Sequence, residues 1–487
     1  MHISEKVSGK MSSYRWVICA MLFFATTINY LDRQVLSLTW PSFIGPEFHW
    51  TNENYGDITA WFSIFYALCM LFAGRLVDWL DTKKGFLWAI GIWSIGACLH
   101  AFCGIATSGI VAGEWLTGFE GARDILSHVE NGALITSVSV TLFICARLVL
   151  ALGEAGNFPA AIKATAEYFP KKDRAFSTSI FNSGATIGAM IAPACILYIA
   201  AAWGWEASFI IIGLLGFIWM GFWVFLYKKP EVNPKVNRAE LTYILQDKDP
   251  GVGENAADGT PAGPAKKISF LDCFKFKQTW AFAVGKFMTD GVWWFYLFWM
   301  PKYLESVYNL KGTDQVLPLT VLYTVVMLSI IGGWLPSYFI DKKKMNPYAG
   351  RMKAMLIFAF FPLLALLAQP FGSYSYWLPV VIIGIAGAAH QAWSANIFST
   401  VGDMFPKSTI ATITGIGGMA GGLGSFIIQK GAGTLFDFSG KTGMLFMGFK
   451  GEEAGYFIIF SICAVSYLIG WCIMKSLVPR YRPIVLT

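Results

Sequence analysis

The residues best suited to chemistry are an acidic and a basic side chain that follow one another inside a long apolar run. Asp32 and Arg33 lie near the end of the run from Trp16 to Leu38. Charged side chains at membrane depth are costly unless they face water, a partner or a ligand. Two interpretations are open: a transport site that contacts a charged substrate, or a buried ion pair that only holds helices together.

Further charged side chains lie inside other apolar runs, which favours a transport site. Arg147 and Glu154 share one run, and Lys286 and Asp290 share another. Arginine is always protonated, and its fork of N–H donors binds both oxygens of a carboxylate, so Arg33 is the first candidate for holding an anionic substrate. Lys286 would add a second positive charge. Asp290 lies one helical turn further on, where it either neutralises Lys286 or leaves it for the substrate.

A coupled transporter also needs a group that changes its protonation state when substrate binds. Asp32 and Glu154 are the candidate carboxyl groups, because burial favours the neutral acid. Arg147 precedes Glu154 by seven residues, two turns along one helix face. The hypothesis is that Arg147 is the switchable partner of Asp32 or Glu154, and that protonation of these carboxyls frees Arg33 for the substrate.

Composition defines the class of protein that must position these residues. Of the 487 residues, 55% are hydrophobic and 14% are charged, and the mean hydropathy is +0.54. These values are too apolar for a soluble chain of this length. In lipid, apolar runs must be helical because every backbone N–H and C=O group needs an internal partner. The sequence therefore predicts an all-α polytopic membrane protein and excludes an outer-membrane barrel.

Several other classes of protein are disfavoured. The Lys and Arg residues behind the net charge of +7 do not form one basic stripe, so nucleic-acid binding is not indicated. The 9 Cys residues show neither a zinc pattern nor a disulfide framework. The first apolar run is too long for a cleaved signal peptide. A membrane-embedded enzyme is disfavoured because the chain has no metal motif, nucleophile elbow or phosphate loop.

The apolar runs predict twelve transmembrane helices. They are 15–38, 56–79, 86–106, 136–158, 177–200, 207–227, 278–301, 315–340, 353–369, 377–402, 410–435 and 454–475. A polar stretch divides the chain into a six-helix half at 1–227, a cytoplasmic linker at 228–277 and a second six-helix half at 278–487. An even number of spans places both termini on one side, and the clusters of Lys and Arg identify that side as cytoplasmic.

The segment 107–136, between the third and fourth spans, is an outer-face insertion. Its apolar residues recur at near-helical spacing with charged residues between them. We expect a short amphipathic helix on the outer surface.

Several motifs resemble those of known transporters. Gly74-x-x-x-Asp78 followed by Lys83-Lys84, with a second copy around Asp341, resembles the loop motif of the major facilitator superfamily. Asn29-Tyr30-Leu31-Asp32-Arg33 and the run from Arg147 to Ala155 resemble the anion:cation symporter family, which carries organic anions such as sugar acids. The motifs around Lys286 and Asp290, from His390 to Asn396 and from Gly417 to Gly424 resemble its bacterial hexuronate branch. The resemblance covers nearly the whole chain except 107–136.

This resemblance implies the major facilitator fold and a sugar-acid site between its two halves. Sugar hydroxyls need convergent donors and acceptors, with an aromatic face for the apolar side of the ring. Besides Arg33 and Lys286, the substrate-binding candidates are Tyr30, Tyr66, Asn182, His390, Gln391, Trp393, Ser394 and Asn396. Gln391 points about 100° away from His390 on its helix, so the whole set cannot contact one ligand.

Four residues at helix ends are expected to act as gate elements: Gly74, Asp78, Lys84 and Asp341. An aspartate at the end of one helix pairs with basic residues and with the N-terminus of another helix when that side is shut. The alternative is a topology signal alone, which accounts for the lysines but not for Asp78.

Together these patterns predict a proton-coupled symporter that brings a hexuronate such as galacturonate or glucuronate into the cell by alternating access. We expect a monomer in a bacterial inner membrane, with the proton as coupling ion and neither another cofactor nor a metal. The alternative with the same fold is a symporter or exchanger for another organic anion, such as an aldonate.

Overall fold

The computed structural model describes residues 11–246, 270–406 and 409–484, and nearly all of the predicted apolar runs are helical in it. The helices of the first half are α1 (Tyr14–Thr39), α2 (Asn52–Leu80), α3 (Thr82–Ala101), α4 (Cys103–Ala112), α5 (Gly118–Ser127), α6 (Gly132–Glu154), α7 (Asn157–Tyr168), α8 (Lys171–Trp203) and α9 (Trp205–Leu226). Helix α10 (Arg238–Leu245) follows in the predicted linker.

The second half repeats this arrangement with more breaks. Its helices are α11 (Lys277–Tyr308), α12 (Val316–Val326), α13 (Ile331–Ser337), α14 (Pro347–Phe360), α15 (Trp377–Met404), α16 (Ile410–Thr442) and α17 (Glu452–Leu477). Short 3₁₀ or π segments interrupt the helical path around α13 and after α14. Each of the twelve predicted runs contains at least one helix.

The helices differ in how apolar they are. In the described ranges, eight helical segments are long and apolar enough to cross a membrane, and α3 with α4, bent by 50°, makes a ninth. The long helices α1, α11 and α16 fall outside this set. They carry charged residues at membrane depth, among them Asp32 and Arg33 in α1, Lys286 and Asp290 in α11, and Lys430 and Asp437 in α16. Charge is not confined to these helices, since α6 belongs to the apolar set and carries Arg147 and Glu154.

The bundle has two ends, which we name by the segments found there. The linker face is the end where α1 begins and α9 ends, with the Tyr14 hydroxyl donating to the Leu226 carbonyl at 2.7 Å. The insert face is the opposite end, where α5 lies. Helix α2 starts at the insert face with a capping box between Thr51 and Asn54, which satisfies two backbone N–H groups.

Part of the predicted linker is folded against the first half. The buried Glu240 carboxylate of α10 accepts hydrogen bonds from the backbone N–H groups of Tyr14 at 3.0 Å and Arg15 at 3.1 Å, and from the Arg15 guanidinium at 3.0 Å. A carboxylate at this position compensates the positive end of α1. The polar composition of the linker did not predict this contact. The Gly/Ala/Pro-rich part of the linker lies outside the described residues.

The short amphipathic helix predicted in the insertion is present as α5. It buries Ala122 and Leu126 and exposes its charged side. Arg123 donates to Glu206 at 2.8 Å and to Glu47 at 3.2 Å, which ties α5 to α9 and to the turn after α1. Burial raises the pKa of the Glu47 carboxyl, and the Trp205 N–H and the Arg123 guanidinium oppose this rise.

A two-stranded hairpin of β1 (Leu445–Phe446) and β2 (Phe449–Lys450) connects α16 to α17 at the insert face. Leu445 pairs with Lys450, and Phe446 pairs with Phe449. The turn residues Met447 and Gly448 both have positive φ angles, 51° and 90°. Positive φ angles at both turn residues give the turn a backbone twist that matches the twist of the two paired strands.

Candidate functional site

A buried ion pair between α1 and α6 forms the centre of the site. The Nε and Nη2 atoms of Arg33 both donate to Oε2 of Glu154, at 3.0 and 2.6 Å. The Arg33 side chain is 5% exposed and the Glu154 side chain is fully buried. The second carboxylate oxygen of Glu154 has no hydrogen-bond partner among the described residues. This geometry is consistent with the hypothesis that protonation of Glu154 frees Arg33 for the substrate.

Four aromatic rings surround the Arg33 guanidinium. Its central carbon lies 4.8 Å from the ring centre of Tyr66, 5.1 Å from Tyr30, 5.9 Å from Phe62 and 5.1 Å from Trp294. These distances are typical of cation–π contacts, which are stronger where water is excluded. Trp294 belongs to α11, so the enclosure of Arg33 is made by both halves of the bundle.

The close approach of α8 to α1 positions Tyr30. A Cβ atom at Gly188 of α8 would lie 2.5 Å from the Thr27 carbonyl oxygen and 3.0 Å from Cβ of Tyr30. Only glycine allows this separation of the two helices. Any larger residue at 188 would displace the α1 turn that carries Tyr30 and, three residues later, Arg33.

Asp32 and Arg147 lie beside the central pair without forming an ion pair with each other. Both oxygens of Asp32 are buried and have no hydrogen-bond partner in the described part of the chain. Arg147 donates to the backbone carbonyl of Arg33 at 3.4 Å, and its guanidinium lies 5.0 Å from the ring centre of Phe62. In this state Arg147 therefore contacts α1 through the backbone, and its role as a switchable partner of a carboxyl stays a prediction.

The second half places its own polar side chains on α11, α15 and α17. Lys286 and Asp290 form an ion pair at 2.7 Å, one turn apart on α11. His390 of α15 stacks on Trp293 with ring centres 5.5 Å apart, and its Nδ1 atom lies 2.7 Å from the Tyr467 hydroxyl. These contacts bring Lys286 and His390 to the interior of the bundle as predicted.

The remaining substrate-binding candidates differ in exposure. Trp393 is fully buried and packs edge-on against Tyr467 at 5.5 Å, so its ring is part of the core of the second half. Asn396 is also buried and donates to the carbonyl oxygens of Gly332 and Ala392. Ser394 and Gln391 are half-buried, and Asn182 is exposed on α8. Their contact with a substrate stays a prediction.

The predicted gate elements lie at the linker face. A Cβ atom at Gly74 would meet nothing within 4 Å, and both Lys84 and Asp341 are exposed. The side chain of Asp78 lies outside the described part of the structure. Their role as gate elements stays a prediction.

Five residues that sequence reasoning missed join the two halves at the insert face. The Asp437 carboxylate of α16 accepts hydrogen bonds from the backbone and side-chain N–H groups of Asn52 and from the backbone N–H of Glu53, all at 3.0 Å. Lys430 pairs with Asp57 at 2.6 Å and with Glu53 at 3.2 Å. We call these five residues the insert-face latch. Lys430 inside a predicted span was the signal available in the sequence.

Further hydrogen bonds between the halves lie from mid-depth towards the same face. The Tyr55 hydroxyl donates to the Phe298 carbonyl at 2.9 Å, and Ser42 donates to Glu305 at 2.7 Å. Closer to the middle, Ser425 donates to Ser63 at 3.1 Å. Among the described residues, the hydrogen bonds and ion pairs that join the two halves therefore lie from mid-depth to the insert face.

Comparison with known proteins agrees with this architecture. Residues 22–428 match the family model of the Major Facilitator Superfamily. Over 477 residues the chain is 27% identical to the hexuronate transporter of Escherichia coli strain K12, covering 96% of this chain and 95% of that one. It is 26% identical over 344 residues to the galacturonate transporter of Dickeya chrysanthemi, covering 70% of this chain and 87% of that one.

Solved structures share the fold at low sequence identity. A D-xylose-proton symporter superposes with a TM-score of 0.64 at 15% identity, covering 97% of this chain and 98% of that one. A bacterial homolog of the human lysosomal transporter Spinster, inward-facing and occupied, gives 0.63 at 17% identity, covering 95% and 97%. These relatives are transporters, so the prediction that the chain is not an enzyme is confirmed. With a family model that spans most of its length and a matching bundle of helices, the chain belongs to the major facilitator superfamily.

Proposed function

We propose that the protein is a symporter that brings a hexuronate anion, such as galacturonate or glucuronate, into a bacterial cell together with protons. The observation that carries this proposal is the buried Arg33, paired with the exchangeable carboxylate of Glu154 and enclosed by aromatic rings from both halves. The curated relatives named for hexuronate and galacturonate transport support the choice of substrate.

In the binding step, the carboxylate of the sugar acid replaces Glu154 as the partner of Arg33. Protonation of Glu154 removes its ionic attraction to Arg33, so the guanidinium becomes available to the substrate. The rings of Tyr66 and Trp294, which already lie against Arg33, offer flat apolar surfaces to the sugar ring. Donors and acceptors of the second half, such as His390 and Ser394, face the sugar hydroxyls.

Charge balance explains why the substrate and the proton move together. Counted over Arg33, Glu154 and the substrate alone, the empty site with the ion pair is neutral, and so is a site where Arg33 holds the substrate and Glu154 is protonated. A substrate beside an ionised Glu154 would add one negative charge to either state, which is disfavoured in a buried site. The two states of equal charge are therefore the ones that can close and reorient.

Asp32 is assigned the second proton-holding role in this scheme. Its two oxygens are buried without a hydrogen-bond partner in the described part of the chain. An ionised carboxylate in that position would cost several kcal/mol. The neutral acid avoids this cost, so Asp32 fits a group that holds a proton during part of the transport cycle.

The linker face is assigned to the cytoplasm. Basic clusters such as Lys83-Lys84 and Lys342-Lys343-Lys344 lie at that end of the bundle, in agreement with the excess of positive charge found in cytoplasmic loops. A bundle that is latched at the insert face fits a state in which the site communicates with the cytoplasm. This is the state that releases substrate and proton inside the cell.

The test is uptake of labelled galacturonate into proteoliposomes under an imposed pH gradient, with glucuronate, gluconate, glucose and an aromatic acid as competitors. We expect accumulation only when the pH is lower outside, and competition by glucuronate but not by glucose. Equal competition by neutral glucose would remove the carboxylate-binding role of Arg33. Stronger competition by gluconate would identify an aldonate as the substrate. Uptake that depends on a sodium gradient would show that sodium, and not the proton, is the coupling ion.

A further inference from the structure

A second ion pair lies outside the Arg33 site, on the opposite half of the bundle. Lys286 and Asp290 of α11 are 2.7 Å apart, and the Lys286 ammonium also lies 4.2 Å from the ring centre of Phe398. The Asp290 side chain is 19% exposed and the Lys286 side chain is 6% exposed, whereas Glu154 is fully buried. Among these carboxyls, Asp290 is the one that solvent reaches in this state.

From this geometry we infer that Asp290 is a further proton-carrying group, so that each half contributes an ion pair whose carboxylate takes up and releases a proton during transport. The inference rests on the proposed function, because it assumes proton-coupled transport. It adds one proton to each transport cycle beyond those held by Asp32 and Glu154.

Asp290 lies at a depth between the central site and the linker face. Helix α11 starts at the linker face, and Trp294, which covers Arg33, follows Asp290 by one turn. With a rise of 1.5 Å per residue, Asp290 lies about 6 Å, and Lys286 about 12 Å, nearer to the linker face than Trp294.

The surroundings of Asp290 contain few other titratable groups. On its own helix it faces Lys286, on α1 it lies within electrostatic range of Tyr30, and on α17 within that of Tyr467. His390 of α15 lies within electrostatic range of Lys286. Tyr30 is within electrostatic range of both Asp290 and Glu154.

Gly421 of α16 leaves space for the Asp290 carboxylate. A Cβ atom at this position would lie 2.2 Å from Oδ2 of Asp290, the oxygen that binds Lys286. Any side chain at 421 would displace the carboxylate from the lysine. The absence of a side chain there allows a compact ion pair at a depth where separated charges are costly.

The proton balance of the step is simple. Asp290 as a carboxylate accepts one proton and becomes a neutral acid, and the ionic bond to Lys286 is lost. The Lys286 ammonium stays protonated and shares the carboxylate of the incoming anion with Arg33. At the linker face the anion leaves, the acid gives its proton to water, and the ion pair forms again.

The experiment measures the ratio of protons to substrate from reversal potentials in proteoliposomes. Galacturonate is held at fixed concentrations on both sides, and the pH gradient is varied until net flux stops. Because the null point is thermodynamic, a slower variant still gives its ratio. We expect Asp290→Asn to lower the ratio by one relative to the unaltered protein, and Asp314→Asn, an exposed acid at the insert face, to leave it unchanged.

A double variant separates proton transfer from charge compensation. If Asp290 only neutralises Lys286, removing both charges in Lys286→Gln/Asp290→Asn restores the original ratio, and the inference is wrong. If Asp290 carries a proton, the double variant keeps the lower ratio. For a variant too slow for flux, proton uptake on galacturonate binding in weakly buffered detergent solution gives the same count. An unaltered protein whose null point ignores the pH gradient would overturn the proposed function itself.

Discussion

The two halves of the bundle place different kinds of side chain in its interior. The first half supplies the fully buried Arg33 to Glu154 pair and, beside it, Asp32 and Arg147 with atoms that lack partners in the described chain. The second half supplies stacked rings and the ion pair that solvent reaches. Buried charge is therefore concentrated in the first half, where fewer of the charged atoms have a hydrogen-bond partner in the described chain.

This difference assigns separate tasks to the two halves. A buried and poorly compensated charge responds strongly to a new partner, so the first half suits anion binding and its coupling to a proton. Aromatic rings tolerate changes of partner and act through shape, so the second half suits the selection of the sugar. Substitutions of the charged residues of the first half are expected to have the largest effects on anion binding and coupling, and substitutions of the aromatic residues of the second half to shift affinity.

The largest effect is expected at Arg33. Arg33→Lys keeps the charge but loses the forked geometry, and charge-assisted hydrogen bonds contribute about 1.5–3 kcal/mol. We expect the apparent affinity for galacturonate to fall about 10- to 100-fold, measured by uptake and by binding to the purified protein. Arg351→Lys, at a pair with Asp403 away from the site, is the matched control. A normal affinity in Arg33→Lys would show that Arg33 does not hold the substrate.

Glu154→Gln is expected to separate exchange from accumulation. The amide cannot ionise, so the site behaves as if permanently protonated and the pH gradient no longer drives uptake. Accumulation should fall to the level seen without a gradient, while exchange of internal for external galacturonate continues within about threefold, because each arm crosses the membrane in a neutral state. Glu130→Gln, at an exposed insertion residue, should alter neither. Equal loss of exchange and accumulation would contradict the coupling role.

Trp294→Ala tests the contribution of the second half to the Arg33 enclosure. Losing a desolvated cation–π contact of about 1–2 kcal/mol should weaken galacturonate binding about 5- to 30-fold. Trp294→Phe keeps a ring and should lose less. Trp334→Ala, at a residue that is 63% exposed, controls for removal of a tryptophan. If binding of a simple aliphatic acid weakens as much as that of galacturonate, Trp294 supports Arg33 rather than the sugar.

The clearest predictions for this site are those where charge interrupts an apolar run, whereas Tyr30 and Tyr66 were named because a sugar ring needs an aromatic face. Arg33, Glu154 and Lys286 are conspicuous in lipid because the cost of a charge there is large. Trp294 gave no such signal, since an aromatic residue in a membrane helix has many packing roles. The helical bundle was predictable for the same reason as the charges: the bilayer leaves the backbone few alternatives.

The insert-face latch was not predictable because it depends on how α2 and α16 dock. Asn52 and Asp437 are separated by 385 residues in sequence, and neither residue alone differs from an ordinary helix-end polar group. Only tertiary packing reveals that a carboxylate of one half caps a helix of the other. The hairpin at 445–450 was missed for a simpler reason, since strands of two residues leave no alternation to detect.

Asp437→Asn is expected to weaken the latch and favour opening at the insert face. The amide loses the charge that compensates the start of α2, so the closed state should lose about 1–1.5 kcal/mol and the open population rise about 5- to 10-fold. Spin labels at His49 and Met447, one on each half at the insert face, report this as a longer distance in a cysteine-depleted background. Asp314→Asn should leave the distances unchanged. An unaltered distribution in Asp437→Asn would remove the latch from the closing mechanism.

The smallest effect is expected at Arg123→Gln, which removes both ion pairs between α5 and the rest of the first half. The Arg123 side chain is 43% exposed, so solvent screening limits each pair to less than about 1 kcal/mol. The melting temperature should fall by about 1–2 °C, and the difference should shrink in high salt because surface charges are screened. Galacturonate affinity and the proton ratio should stay the same, since α5 lies at the insert face of the first half, away from the Arg33 to Glu154 pair. A change in either quantity would show that the insertion influences the binding site.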